Sequence, residues 1–475
     1  MIGLEPGIVV VAVGAGLLVW LKAPLERFHG TALPALAFCM GIYTVTAVTM
    51  IPALITGRFY LPAVWGLGAV AFGAAIASRR WIRGLLARRC GTCPQPPAGP
   101  AQHVFVTVLA AASIYNAVLV AGLSQKTPII GFDAVGNYAM KARIWFETRR
   151  LSAPPLTDPE FITYHRRYPP AIPAMEMTWA YLLGGWDNVK IKWFFLLSWA
   201  GIGAMLWTML RRRNGPAVAW MGTAVWMAVP YHLRELHGGA TDAYPETPFT
   251  LGLLAAFMIV RELADSRRRG DMILMALAAA GPILIKQEGL FFTALIVLYL
   301  AVRRAPAEGI ALTVLAAAIW TALWKLAGRG LPAHLDESYL TFNVGPAQVW
   351  ERLRTLASFL PKTLLDRERW GWMPALVAGA WLYKFWRLPW RRWGSLELAA
   401  GGLLFLIYLV VLLNTPLDFT VHLDTTLHRL VTHVLPFVIV ASFDNLEAGG
   451  PCFQTAAAAA PLDGGCCEGM KTNHG

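Results

Sequence analysis

The chain has 475 residues, of which 56% are hydrophobic and only 15% charged, and its mean hydropathy is +0.50. Soluble domains carry about 25% charged residues, so no single soluble core can hide this much apolar surface, and a membrane protein with many spans is the class that remains. The formal net charge of +13 does not point to nucleic acid, because the cations stand in short clusters between apolar runs, which is the pattern of membrane topology.

Apolar runs long enough to cross the hydrocarbon, about 17–25 residues or a few fewer where the ends snorkel, occupy most of the chain. In order they are 3–21, 31–56, 60–78, 103–124, 190–210, 216–232, 246–262, 272–285, 289–302, 308–327, 371–386, 395–413 and 429–443. The first has no Lys or Arg ahead of it and no clear small-residue cleavage site behind it, so it is expected to stay as an anchor. The expected fold class is all-α, a polytopic helical membrane bundle of about 13 spans. Residues 90–102, CGTCPQPPAGPAQ, read as a Pro-rich linker between an N-terminal three-helix segment, 1–89, and a larger membrane unit, 103–443. The tail 444–475 has no span-length run and is expected to be disordered. Cys90 and Cys93 have no second pair or histidine pair at zinc spacing, and Cys39, Cys452, Cys466 and Cys467 are scattered, so neither a zinc site nor a disulfide framework is implied.

Cationic clusters set the orientation. Arg79, Arg80, Arg83, Arg88 and Arg89, then Arg211, Arg212 and Arg213, then Arg267, Arg268 and Arg269, then Arg303 and Arg304, and finally Lys384, Arg387, Arg391 and Arg392 fall on one cytoplasmic side under two conditions. The stretch 171–185 must not cross, and 272–302 must be two segments turning at Lys286, Gln287, Glu288 and Gly289. Pro169, Pro170, Pro173 and Glu176 suit a helix lying in the interface for the first; a charged pair costs far less at a turn than at a helix centre for the second. The loops 125–189, 233–245, 328–370 and 414–428, with the turn at 286–288, then face away from the cytoplasm.

These outward segments hold the chemistry. The sequence GFDAVGNYAMKARIWFETRR, 131–150, puts Asp133 at the head of a polar loop at the membrane surface, where an ionisable group needs a reason. A carboxylate there can take a proton from an acceptor hydroxyl while Lys141 and Arg143 stabilise a phosphate leaving group; an ion pair anchoring the loop is the alternative. Arg166 and Arg167 offer a bidentate phosphate clamp or a grip on anionic lipid, and the adjacent His165 suits a structural hydrogen bond better than a base. Asp242 and Glu246 stand four apart as acceptor-binding or metal-binding carboxylates, although Pro245 and Pro248 disfavour a shared helix and Asp242 suits a cap or turn. Lys286, Glu288 and Arg429 complete the set, with snorkelling as the alternative for the two cations. Trp370, Trp372 and the Trp-rich segment 386–393 read as interfacial belts rather than sugar platforms.

In this order the segments resemble the bacterial multi-spanning glycosyltransferases of the GT-C class, which includes protein mannosyltransferase-like and aminoarabinose-transferase-like enzymes. The resemblance covers about residues 103–443 and is carried by Asp133, Lys-Ala-Arg at 141–143, YPPAIP at 168–173, Gly-Ala-Thr-Asp at 239–242, Lys-Gln-Glu-Gly at 286–289 and HRLVTHVLP at 428–436, as an ordered set rather than singly. It implies a GT-C-like bundle with interfacial helices in the first large outer loop and an outer cavity that receives a polyprenyl-phosphate sugar. Asp133 would be the general base, with inversion at the anomeric carbon, and Lys141, Arg143, Arg166, Arg167, Lys286 or Arg429 would hold the donor phosphate. Many of these enzymes carry two acidic residues in the first-loop motif, whereas here Phe132 and Ala134 flank a single aspartate. Dependence on a divalent cation is therefore in question unless Asp242 or Glu246 supplies a second carboxylate. The implied partners are the polyprenyl-phosphate sugar, membrane lipid and a glycan, lipid or protein acceptor. A transporter or flippase of lipid-linked saccharides is the alternative, and would show internal repeats and broken helices with polar groups at mid-membrane.

Overall fold

The computed structural model describes residues 3–21, 28, 31–77, 100–160, 165–233, 239–332, 344–387, 395–415, 417–444 and 446. Among these residues every regular element is helical: α1 (Glu5–Trp20), α2 (Leu33–Thr56), α3 (Pro62–Ala77), α4 (Pro100–Ser124), α5 (Met140–Thr148), α6 (Ala171–Leu182), α7 (Trp193–Arg213), α8 (Pro216–Met227), α9 (Glu246–Leu263), α10 (Arg269–Ala280), α11 (Gly289–Val302), α12 (Ala307–Ala327), α13 (Pro346–Leu364), α14 (Met373–Arg387), α15 (Leu396–Leu413) and α16 (Phe419–Phe443). Six are long and apolar enough to cross a membrane: α2, α4, α7 with the 3₁₀ turn before it, α12, α15 and α16. The chain is thus a helical bundle of membrane type.

Helix boundaries follow local chemistry. Proline opens α1, α2, α8 and α13, where its missing N–H is one that the first turn leaves unbonded anyway. Gly57 ends α2 at a φ of 73°, Ser395 caps α15 and Asp418 caps α16. The expected turn at 286–288 is present, closed by the Gly289 amide donating to the Lys286 carbonyl. Other boundaries move. The run 216–232 stops as α-helix at Met227, and Pro230 opens a 3₁₀ turn. Residues 100–102, read as linker, are the first turn of α4, while 90–99, with Cys90 and Cys93, lie outside the described residues. The last helix starts at Phe419, so most of the loop expected at 414–428 is helical. Of the tail, Asp444 is described and ion-paired, and residues beyond 446 lie outside the description. So do the arginines at 79–89 and 391–392.

Two helices are hubs. α2 packs on α1, α3, α6, α7, α9 and α12, and α16 on α7, α8, α9, α13, α14 and α15. α1 meets α2 backbone to backbone: a Cβ at Gly14 would lie 1.7 Å from the Ala37 carbonyl oxygen, and one at Gly41 2.0 Å from that of Val10. Small residues let helices in lipid approach this closely, because van der Waals contact rather than water exclusion holds them. α6, expected to float in the interface, is instead enclosed by α1, α2, α5 and α7, with every residue from 171 to 180 buried.

Residues of the cytoplasmic list and those of the outward list collect at opposite ends of α7, α9 and α16. At one end, Arg213 donates to Glu397 at 2.7 Å and to Asp444 at 2.6 Å, Arg261 donates to Glu397 at 2.6 Å, and Arg212 to Glu262 at 2.7 Å. Lys384, also buried there, donates to the Ala441 carbonyl. This cluster ties together the ends of α7, α9, α14, α15 and α16.

Two stability outcomes follow. Gly41→Leu must push α1 from α2 and is expected to cost about 1–3 kcal/mol or more, read as a lower unfolding temperature in detergent; an unchanged value would contradict the contact. Glu176 in α6 is fully buried, and neither carboxylate oxygen is hydrogen-bonded among the described residues, so burial holds its carboxyl well above the usual carboxylate range. A raised folded pKa gives stability that is full at acid pH and declines as pH rises past the unfolded value of about 4.3. Glu176→Gln is expected to match the parent near pH 4 and to unfold at a higher temperature near pH 8; parallel curves would mean that the carboxylate is ionised and paired.

Candidate functional site

The site is assembled where four segments meet. The chain from Gly131 enters a π-helical turn, Ala134–Ala139, with Asp133 immediately before it, and continues into α5. Such turns concentrate at functional sites because the extra residue re-aims side chains. Pro245 precedes α9 and so puts Glu246 in its first turn. The turn between α10 and α11 supplies Lys286 and Glu288. Arg429 comes from within α16, ten residues or about 15 Å along its axis.

Arg429 joins these segments. Its Nη1 donates to Asp133 Oδ2 at 2.5 Å and its Nε to Glu246 Oε1 at 2.7 Å, while its guanidinium lies 4.8 Å from the Tyr244 ring centre. Lys286 Nζ donates to the same Glu246 oxygen at 3.3 Å and stands 3.5 Å from Glu288. Burial grades across the network: the Glu246 side chain is 0% exposed, Lys286 9%, Arg429 16%, Glu288 18% and Asp133 28%. Glu246 is therefore the inner anchor and Asp133 the group that solvent reaches. Two phenols sit against the network. Burial, then Glu246, raises Tyr138 well above the usual range, and burial, then Asp133, raises Tyr244, so both stay protonated donors.

The loop bearing Asp133 is fixed from behind. Asp242 Oδ1 accepts from the Gly131 amide at 3.1 Å, and a Cβ at 131 would fall 2.3 Å from Asp242 Oδ2, so only glycine allows this approach. Lys192 ties the same two loops, donating to the Thr241 carbonyl at 3.0 Å and the Thr127 hydroxyl at 3.1 Å. Asp242 thus takes the turn-holding role, and Glu246 takes cations, rather than the two forming a ligand pair. Among the described residues there is no group of three His, Cys, Asp or Glu that could hold a metal ion.

Four of the six cations expected to hold a donor phosphate are engaged elsewhere. Lys141 is buried, donating to the carbonyls of Arg166 at 2.7 Å and Tyr168 at 3.4 Å. Arg143 is exposed and pairs with Glu147 at 2.8 Å. Arg166 donates to the Leu156 carbonyl at 3.2 Å and to that of Asp158, and Arg167 to the Leu331 carbonyl at 2.8 Å. His165 has a φ of 48°, in the left-handed region that costs a side chain strain, and stacks on Tyr168 at 4.2 Å. Lys141 and Arg166 thus brace the first outer loop from within, Arg143 pairs inside α5 and Arg167 joins the loop to the chain after α12; Lys286 and Arg429 reach Asp133's network. Arg429 is not snorkelling from a helix start, as its place in the last run suggested, because α16 begins earlier.

Lys192, and His433 within the segment 428–436, were not among the expected site residues. Each is a polar group within an apolar run, which is itself a signal. His433 Nδ1 lies 3.2 Å from the Tyr408 hydroxyl, one turn below Arg429. Trp370, expected in an interfacial belt, is buried and stacks on Tyr231 at 5.5 Å, whereas Trp372 and Trp386 are exposed.

Comparison with family models, with curated proteins and with solved structures finds no match to this chain.

Removing Arg429 leaves Glu246 buried with Lys286 alone. Breaking a buried pair costs about 3–5 kcal/mol, much of it the stranded charge. Arg429→Met is therefore expected to destabilise the protein more than the double change Arg429→Met/Glu246→Gln, as read by detergent unfolding; the reverse order would show that the pair is not coupled.

Proposed function

We propose that this chain is a membrane glycosyltransferase that moves a sugar from a polyprenyl-phosphate donor to an acceptor hydroxyl on the outer face of a bacterial plasma membrane, with inversion. The observation that carries the reading is Asp133: a part-exposed carboxylate whose Oδ2 is held by Arg429, while Oδ1 has no hydrogen bond among the described residues. Asp133 Oδ1 takes the proton of the acceptor hydroxyl as its oxygen bonds to the anomeric carbon, and the bond from that carbon to the phosphate oxygen breaks with its electron pair. Lys286 and Arg429 are the cations placed to meet the departing phosphate. Both already face carboxylates, so they must share their donors with it, and Glu246, fully buried, keeps them in place. No step is assigned to a metal. The count of about 13 spans and the GT-C-like arrangement belong to the same proposal.

The support for an outward site is the sorting of charge: 131–133 and 286–288 come from segments that the positive-inside pattern puts outside, and 246 and 429 begin the apolar runs that follow outward loops. The ion cluster at the opposite end weighs against a flippase, because opening that end would separate Arg213 and Arg261 from Glu397 and Asp444. A lipid-linked donor also fits an outward site, since nucleotide sugars are made in the cytoplasm and a sugar on a lipid phosphate has already crossed.

Asp133→Asn is expected to leave a folded, membrane-inserted protein and to lower transfer by about 10²-fold or more, measured in proteoliposomes supplied with polyprenyl-phosphate sugars and envelope acceptors. Undiminished turnover would remove Asp133 as base, and movement of the lipid-linked sugar across the bilayer without a covalent product would favour transport.

A further inference from the structure

Helix α13 has three faces rather than two. Val349, Arg352, Leu356, Phe359, Leu360 and Thr363 are fully or partly buried, and the helix packs on α15 and α16. A second stripe, Trp350, Leu353, Ala357, Pro361 and Leu364, is apolar yet exposed. A third edge is polar, with Glu351, Thr355, Ser358 and Lys362. At 100° per residue the exposed apolar stripe lies beside the packed one, and the polar edge lies away from both. A water-soluble surface helix has no use for the middle stripe.

The depth of the helix is fixed by one side chain. Arg352 Nη1 donates to the carbonyls of Leu413 at 2.7 Å and Thr415 at 3.0 Å, the unsatisfied acceptors at the C-terminal end of α15. α15 is span-length with most of its surface uncovered by protein, so its end marks where the chain leaves the hydrocarbon. A helix fastened there lies at the boundary between acyl chains and headgroups. Its flanks carry the side chains suited to that zone. Trp350 is 58% exposed with the Arg354 guanidinium 5.3 Å from its ring centre, and Trp372 is 68% exposed with Arg367 at 4.4 Å. Over 346–370 five cations stand against three carboxylates.

We propose that α13 lies in the bilayer surface as an interfacial helix, its exposed apolar stripe among acyl chains, and that Arg354 and Arg367 beside Trp350 and Trp372 bind the phosphates of anionic bilayer lipids. The inference does not depend on the enzymatic reading. It has a structural consequence: the turn 367–370 that follows α13 packs on the 3₁₀ turn Pro230–Leu233 through the Trp370–Tyr231 stack, and Tyr231 lies edge-on to His428, the neighbour of Arg429, so the lipid-bound helix is joined to the site.

The full chain, with its native cysteines replaced and a nitroxide attached singly at 351, 353, 357 or 358, tests the placement in nanodiscs. Labels at 353 and 357 are expected to collide more with oxygen than with a water-soluble nickel chelate, and labels at 351 and 358 the reverse. Nickel access that dominates at 353 and 357 would overturn the proposal, and so would shielding of these labels from both reagents, which would mean a protein partner. For the headgroups, native mass spectrometry of protein from mixed phosphatidylglycerol and phosphatidylcholine vesicles should show retained phosphatidylglycerol. The double variant Arg354→Gln/Arg367→Gln should lower that preference by about fivefold per residue. An unchanged preference in a variant that elutes as a single peak would overturn the anionic-lipid assignment.

Discussion

The Glu246–Arg429 pair is the contact on which the arrangement of the site depends. A carboxylate with no exposure to water is costly to ionise, and only a cation in close contact with further hydrogen bonds makes it tolerable. Glu246 has two such cations, Arg429 and Lys286, each on a different segment. Satisfying one buried charge therefore fixes the start of α9, the middle of α16 and the turn after α10 relative to each other. Asp133 is then held by what remains of the Arg429 fork. A guanidinium suits this role because its planar donors can serve two carboxylates at once, which an ammonium serves less specifically.

The bundle around this pair is polarised. One end of α7, α9 and α16 is closed by arginines and carboxylates in mutual contact; at the other, Asp133 and Glu288 keep part of their surface open. Between them the helices contact through apolar side chains, with Phe257 edge-on to Phe437 and Phe249 edge-on to His433. α9 and α16 thus run side by side in the same direction, and the first ten residues of α16 extend past the start of α9, giving the site a helical wall on one side.

Much of this was legible in the residues. Composition gave the class, and among the described residues Arg212, Arg213, Glu262, Glu397 and Asp444, all assigned to one side, meet one another in space. Asp133, Glu246, Lys286, Glu288 and Arg429 were all singled out. Their partnership was not, because it rests on contacts between positions up to 296 residues apart, such as Asp133 with Arg429, which periodicity does not encode. The first cation after Asp133 in sequence lies apart from its network: Lys141 is eight residues on, about 12 Å along a helix, and its ammonium donates to backbone carbonyls. The burial of α6 was hidden because a glutamate in an apolar run suggests a wet face, whereas Glu176 is dry. α13 was absent from the expected helices because it is amphipathic rather than a continuous apolar run, with Glu351, Arg352, Arg354 and Lys362 interrupting its apolar positions.

The Asp444 contact has a consequence for the C-terminal region. This carboxylate is bound to Arg213, whose other fork holds Glu397 and through it Arg261. The residue that looked like the root of a loose tail is therefore a member of the fastening that closes the bundle. The folded unit includes Asp444, and a truncation or a fusion joint placed at 443 would remove a structural charge rather than trim an appendage.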